Sequence, residues 1–179
     1  MTSNLPIDVM EDLKIPFEKL LSTENFGEVV NTIAELISQG MLTSVSLDTI
    51  LNEYNIKLDK IKSNILDMIL SYINITLEDN YIMEKEASNV NFLKRFFKIK
   101  EGDFYSLKYY DIERILEKQF EHMYKDNSIN NVEALQKFEL QELFNLSYDQ
   151  FLQLSEKAVR SAIAKGANLM DLDTFIKSS

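Results

Sequence analysis

The feature that most constrains this chain is a helix-to-helix turn written more than once at a fixed spacing. Asp126-Asn127-Ser128-Ile129-Asn130-Asn131-Val132-Glu133-Ala134 stands between two strongly helical runs, and forty-seven residues earlier stands Asp79-Asn80-Tyr81-Ile82-Met83-Glu84-Lys85-Glu86-Ala87. The same offset aligns Leu93 with Leu140, Phe97 with Phe144, Ile99 with Leu146 and Phe104 with Phe151. A fainter copy is Gly40-Met41-Leu42-Thr43. Self-similarity at a fixed period means that one supersecondary unit is reused, and a unit this small buries its apolar face only by stacking on its neighbours.

Each copy reads as the end of one helix and the start of the next. Asn127, Asn80 and Gly40 hold the place where a left-handed residue ends a helix, a conformation that Gly and Asn tolerate best. Two residues on, Ile129, Ile82 or Leu42 fits the staple that packs onto the following first turn. Then comes the cap. Asn130 with Glu133 makes a capping box, Thr43 is a good cap, and Met83 is a poor one that Glu86 supports from the third position. A second element recurs as Tyr54-x-Ile56, Phe97-x-Ile99 and Phe144-x-Leu146, each with an apolar residue five further on (Ile61, Phe104, Phe151). It predicts a helix end, a short loop and a new helix, with Ser147 capping the last.

Only 4 Gly and 2 Pro occur in 179 residues, while 45% are hydrophobic and 11% aromatic. That predicts long helices around a real core and not a turn-rich β fold. The fold class is all-α: a compact bundle of about eight or nine helices from two to three helix-turn-helix repeats. The spacing places helices at 25–39, 44–54, 58–77, 84–97, 109–125, 132–144, 147–165 and 169–176. Residues 1–15 read as a tail or short helix, with Pro16 opening a turn. Residues 16–179 read as one domain with repeats near 25–61, 62–104 and 109–151, since no composition shift marks a linker.

The formal net charge of -10 opposes nucleic-acid binding, which needs clustered Lys and Arg to neutralise phosphates. Cysteine is absent, which removes disulfides, thiol catalysis and thiolate metal sites. The start Met1-Thr2-Ser3-Asn4-Leu5-Pro6 lacks the basic and apolar segments of a signal peptide. No apolar run approaches the roughly 20 residues of a membrane span. A soluble cytoplasmic protein is expected.

The acidic turns raise a metal question. Asp79, Glu84 and Glu86 in one copy, and Asp126 with Glu133 in the other, are hard oxygen ligands of the kind Ca²⁺ or Mg²⁺ takes. An EF-hand is excluded: with Glu86 as the loop's twelfth residue, its first and third places fall on Ile75 and Leu77, and in the other copy on His122 and Tyr124. Capping explains the turns without any ligand. His122 is the only histidine, and Gln119 stands where a Glu-x-x-His di-iron motif would need its glutamate. No nucleophile elbow, P-loop or dinucleotide-binding glycine pattern occurs. A small helical enzyme using paired carboxylates has no pair singled out for it.

Two stretches suggest contacts. Lys94-Arg95-Phe96-Phe97-Lys98-Ile99-Lys100 is the one basic run; its interleaved aromatics suit nucleic acid or an acidic lipid surface, so peripheral membrane association stays open, and Lys94, Arg95 and Lys98 are candidates for a protein interface. The run equally suits a helix end whose cations meet the negative pole. Tyr105, Tyr109 and Tyr110 form the best candidate for a protein interface, where tyrosine is favoured.

The pattern Asp79-Asn80-x-Ile82-x-Glu84-x-Glu86 and Asp126-Asn127-x-Ile129-x-x-x-Glu133, with Phe97-x-Ile99-x-x-x-x-Phe104 and Phe144-x-Leu146-x-x-x-x-Phe151 downstream, resembles the TerB-like (tellurite resistance B) family over roughly residues 25–165. The resemblance implies an all-helical, non-catalytic protein-interaction module in a bacterial stress-response or phage-defence complex, near membranes and metal-binding partners. It also implies divalent-metal binding at the acidic turns. Asn80 and Asn127 replace that family's usual Gly, and Asn131 stands where the second copy would have its first carboxylate.

Overall fold

The computed structural model describes residues 6–124 and 131–166, with side chains described except at 131–134. Among these residues every regular element is helical, as the scarcity of Gly and Pro predicts. The chain divides into two compact units, Met1–Asp79 with Met83–Lys100 and Asn80–Ile82 with Glu101–Ser179. A single domain was the expectation from even composition. Both units are helical bundles of similar make-up, so the boundary between them leaves no Pro/Gly-rich signature.

The first unit holds α1 (Ile7–Thr23), α2 (Glu28–Ser38), α3 (Ser44–Glu53), a 3₁₀ turn (Leu58–Lys60), α4 (Lys62–Thr76) and α5 (Glu84–Phe96). α4 is its centre. Ile65, Leu66, Met68, Ile69, Leu70, Tyr72, Ile73 and Thr76 are buried, more than one stripe of the helix, and α1, α2 and α5 all pack against it. α1 is a correction to the expected tail, short helix and Pro16 turn, for it runs straight through Pro16. Its buried residues Val9, Leu13, Phe17 and Leu20 are spaced four, four and three apart and form a single stripe. Proline inside a helix costs about 3 kcal/mol. Burying Phe17 and Leu20, which lie beyond it, returns about 1.5–3 kcal/mol each, enough to carry the helix on. The single helix expected over 58–77 is instead a 3₁₀ turn followed by α4, broken at Ile61 (φ -107°, ψ 5°).

The second unit holds α6 (Asp103–Leu107), α7 (Tyr109–Met123), α8 (Asn131–Leu143) and α9 (Tyr148–Ala164). α7 buries Ile112, Ile115, Leu116, Gln119, Phe120 and Met123. α9 answers with Phe151, Leu154, Ser155, Ala158 and Ala162, whose small members let the two helices pack closely. Phe104 packs edge-on to Phe144 at 5.8 Å, and Phe120 lies 6.2 Å from Phe151. α6 was not among the helices that the spacing placed: five residues are too short for a periodicity to show, and its anchor is the fully buried Phe104.

The repeated helix ends have one backbone explanation. In Tyr54-x-Ile56, Phe97-x-Ile99 and Phe144-x-Leu146 the middle residue is left-handed: Asn55 φ 48°, Lys98 φ 55° and Asn145 φ 48°. Each places the two bonds of a Schellman motif, such as Lys98 N to Arg95 O at 3.1 Å and Ile99 N to Lys94 O at 2.8 Å. Gly40 (φ 69°) and Asn80 (φ 62°) are left-handed as well. The caps expected at Thr43 and Ser147 form. Thr43 Oγ1 accepts from Ser46 N at 3.0 Å while Ser46 Oγ accepts from Thr43 N at 2.8 Å. Ser147 and Gln150 exchange the same pair of bonds at 3.3 and 3.1 Å. The staple residues Leu42 and Ile82 are buried. The turn Asp126–Asn130 and the helix at 169–176 lie outside the described residues.

Candidate functional site

At the start of α5 the turn chemistry is internal. Glu86 Oε2 accepts from Met83 N at 2.9 Å, the half of a capping box that the third position supplies, so a cap without an oxygen still starts a helix. Burial raises the Glu86 carboxyl above its usual value; the Met83 amide pulls it down and the Asp79 charge pushes it up. Asp79 therefore lies within electrostatic reach of Glu86. Glu78 accepts from Lys19 Nζ at 3.0 Å. Glu84 is exposed and borders an open cleft of about 560 Å³ with Asp8, Asp12, Lys85, Ser88 and Asn89. Lys85 pairs with Asp12 across it at 2.6 Å. Beneath, the Asn89 amide donates to the Tyr72 hydroxyl at 3.2 Å, and burial pushes that phenol up to about 12. Among the described residues no three His, Cys, Asp or Glu side chains gather as a metal site requires. Asp126 and the side chain of Glu133, the other expected ligands, lie outside the described residues.

The basic run is split by its helix. Lys94 is buried (4% exposed), which corrects its expected place at an interface: it falls on the same stripe as Val90, Leu93 and Phe97. Arg95 and Lys98 are exposed, and the Arg95 guanidinium sits 5.7 Å from the Phe92 ring centre. Lys98 is also the left-handed end residue of α5, so its backbone has a structural task whatever its charge does.

The tyrosines form a ladder where α6 meets α7. Tyr105 and Tyr109 lie edge to face at 5.3 Å and 77°, and Tyr109 and Tyr110 repeat the geometry at 5.4 Å and 78°. The Tyr105 hydroxyl donates to Gln153 Oε1 of α9 at 2.7 Å, which fixes the first ring. Tyr105 and Tyr109 are half-buried, while Tyr110 is 81% exposed and Leu107 beside them is 48% exposed. The Tyr109 phenol is held above its usual value, first by desolvation, then by the charges of Glu113, the neighbouring tyrosines and Glu156. The three rings meet edge to face, and the last of them stands in solvent.

A buried amide cluster was not foreseen. Gln119 and Gln136 are 1% and 4% exposed. The Gln136 amide donates to the Asn80 carbonyl at 2.6 Å and to Gln119 Oε1 at 3.2 Å, while Gln119 donates to Asn80 Oδ1 at 3.4 Å. The signal was present: Gln119 occupies a place on the apolar stripe between Leu116 and Phe120. His122 is exposed.

No helix among the described residues is long and apolar enough to cross a membrane. No family model, no curated protein and no solved structure matches the chain.

Proposed function

We propose that this chain is a non-catalytic helical module that binds a protein partner through the tyrosine ladder of Tyr105, Tyr109 and Tyr110. The observation that carries this reading is Tyr110. A ring 81% exposed, aligned with two half-buried ones beside an exposed Leu107, is apolar surface in excess of what the fold uses. Tyrosines that are already ordered lose little entropy on binding, which suits them as anchors. The resemblance of the turns to TerB-like proteins supports a place in a bacterial stress-response or phage-defence complex, and a cytoplasmic setting belongs to the same reading. Arg95 and Lys98 are secondary candidates for the interface.

The alternative, a Ca²⁺ or Mg²⁺ site on Asp79, Glu84 and Glu86, has less support, because Glu86 already serves the Met83 amide. Affinity capture of the tagged chain from its native lysate, washed with and without EDTA, separates the two. The proposal expects a stoichiometric partner that survives EDTA and is lost with Tyr109→Ala and Tyr110→Ala together. A partner released by EDTA and indifferent to the tyrosines would overturn it.

A further inference from the structure

The ladder has a rim of carboxylates, and that rim narrows what the partner presents. Glu113 lies one turn after Tyr109 and three residues after Tyr110, on the same face of α7. It is half-buried, near enough to act on the Tyr109 hydroxyl, and among the described residues has no cation against it. Glu156 of α9 is near enough to act on the same hydroxyl, and among the described residues its partner is the exposed Arg160, at 2.7 Å, four residues on. Such exposed pairs contribute little and exchange readily. Arg114, the next residue of α7, is engaged by Asp111 at 2.7 Å, and Lys157 of α9 by Glu117 at 3.4 Å. Aromatic faces attract cations through their quadrupole, and a planar guanidinium both stacks on a ring and donates to a carboxylate beside it. The chain's net charge of -10 steers a basic partner in and a second acidic one away.

We infer that the partner segment at this ladder is basic, and that it places an arginine over the exposed tyrosine faces with its guanidinium donating to Glu113. The inference rests on the proposed role of the ladder as a protein-binding face. It assigns Glu113 as a specificity residue and Tyr110 as the stacking surface.

The test uses fluorescently labelled short peptides of alternating arginine and alanine. Matched peptides replace arginine by lysine, by glutamate, or by neutral leucine and glutamine. Anisotropy is read on the full chain at moderate salt. The arginine peptide is expected to bind tightest, to weaken about five- to tenfold with Tyr110→Ala, and about threefold with Glu113→Gln. A charge-matched control in the other unit, Glu35→Gln, should leave binding unchanged. Arginine binding that Tyr110→Ala and Glu113→Gln both leave intact overturns the inference as non-specific attraction. Preference for the neutral peptide with dependence on Tyr110 overturns the basic partner and spares the ladder. If no peptide depends on Tyr110 and the lysate partner ignores the tyrosine variants, both the inference and the proposed function fail.

Discussion

The acidic turn at the start of α5 and the tyrosine ladder at the α6–α7 corner stand out equally in the sequence, yet the molecule uses them in opposite ways. The turn consumes its polar chemistry internally: Glu86 caps Met83 and Glu78 holds Lys19. The ladder leaves chemistry over, with Tyr110 almost wholly in solvent and Glu113 beside it without a cation among the described residues. A motif with a complete local explanation is weak ground for a function. Surface that the fold has no use for is better ground.

Rings on α7 offer the largest break of this comparison. Phe120 is fully buried, 6.2 Å from Phe151 and 6.1 Å from Tyr124, whereas Tyr110 is in solvent on the same helix. Phe120→Ala should cost about 3–5 kcal/mol in denaturant unfolding, and Tyr110→Ala less than about 0.5 kcal/mol. Comparable costs would mean that the ladder is part of the core.

The buried phenol of Tyr72 sharpens the contrast by pH. Its folded value of about 12 lies above its ordinary 10.0, so the unfolded chain ionises first. The stability it contributes is intact below pH 10 and is lost as pH rises toward 12, by roughly 3 kcal/mol. Tyr72→Phe should therefore unfold less steeply over that window, despite losing about 1 kcal/mol at neutral pH with the Asn89 bond. Identical alkaline slopes for the two chains would contradict the assigned burial.

At the acidic turn, Glu86→Ala should destabilise by about 1 kcal/mol, while Glu86→Gln keeps the cap. The raised Glu86 carboxyl stabilises the fold fully below its ordinary 4.5 and loses that contribution as pH climbs through its folded value. Glu86→Gln should consequently gain on the parent as pH rises above 4.5. Adding Ca²⁺ or Mg²⁺ is expected to leave the parent's melting temperature unmoved; a rise abolished by Glu86→Gln would restore the metal reading. The smallest effect belongs to Lys98, left-handed at φ 55°. Lys98→Gly should stabilise by about 0.5 kcal/mol, and a loss of stability would show that its side chain matters more than its backbone.

How much of this was legible depended on range. The turns were, because capping and left-handed ends are decided within six residues: Gly40, Thr43 and Ser147 perform as their types suggest. The helices with a clean stripe were too. Pro16 misled because a local breaker rule lost to Phe17 and Leu20, whose burial is a tertiary matter. Lys94 misled because its charge was weighed before its place on the stripe of Val90, Leu93 and Phe97. The Asn80–Gln119–Gln136 cluster joins residues far apart in sequence, and only the backbone path brings them together. The ladder was half legible: the tyrosines could be named, but the edge-to-face contact of Tyr105 with Tyr109 required α6 as a helix.

The most direct test of the central claim is partner retention by two double variants compared side by side in one capture experiment. One carries Tyr109→Ala and Tyr110→Ala; the other carries Glu84→Gln and Glu86→Gln. The account predicts that the tyrosine variant melts like the parent and loses its partner, while the carboxylate variant keeps it. Retention by the tyrosine variant with loss by the carboxylate variant would contradict it and return the function to the acidic turn.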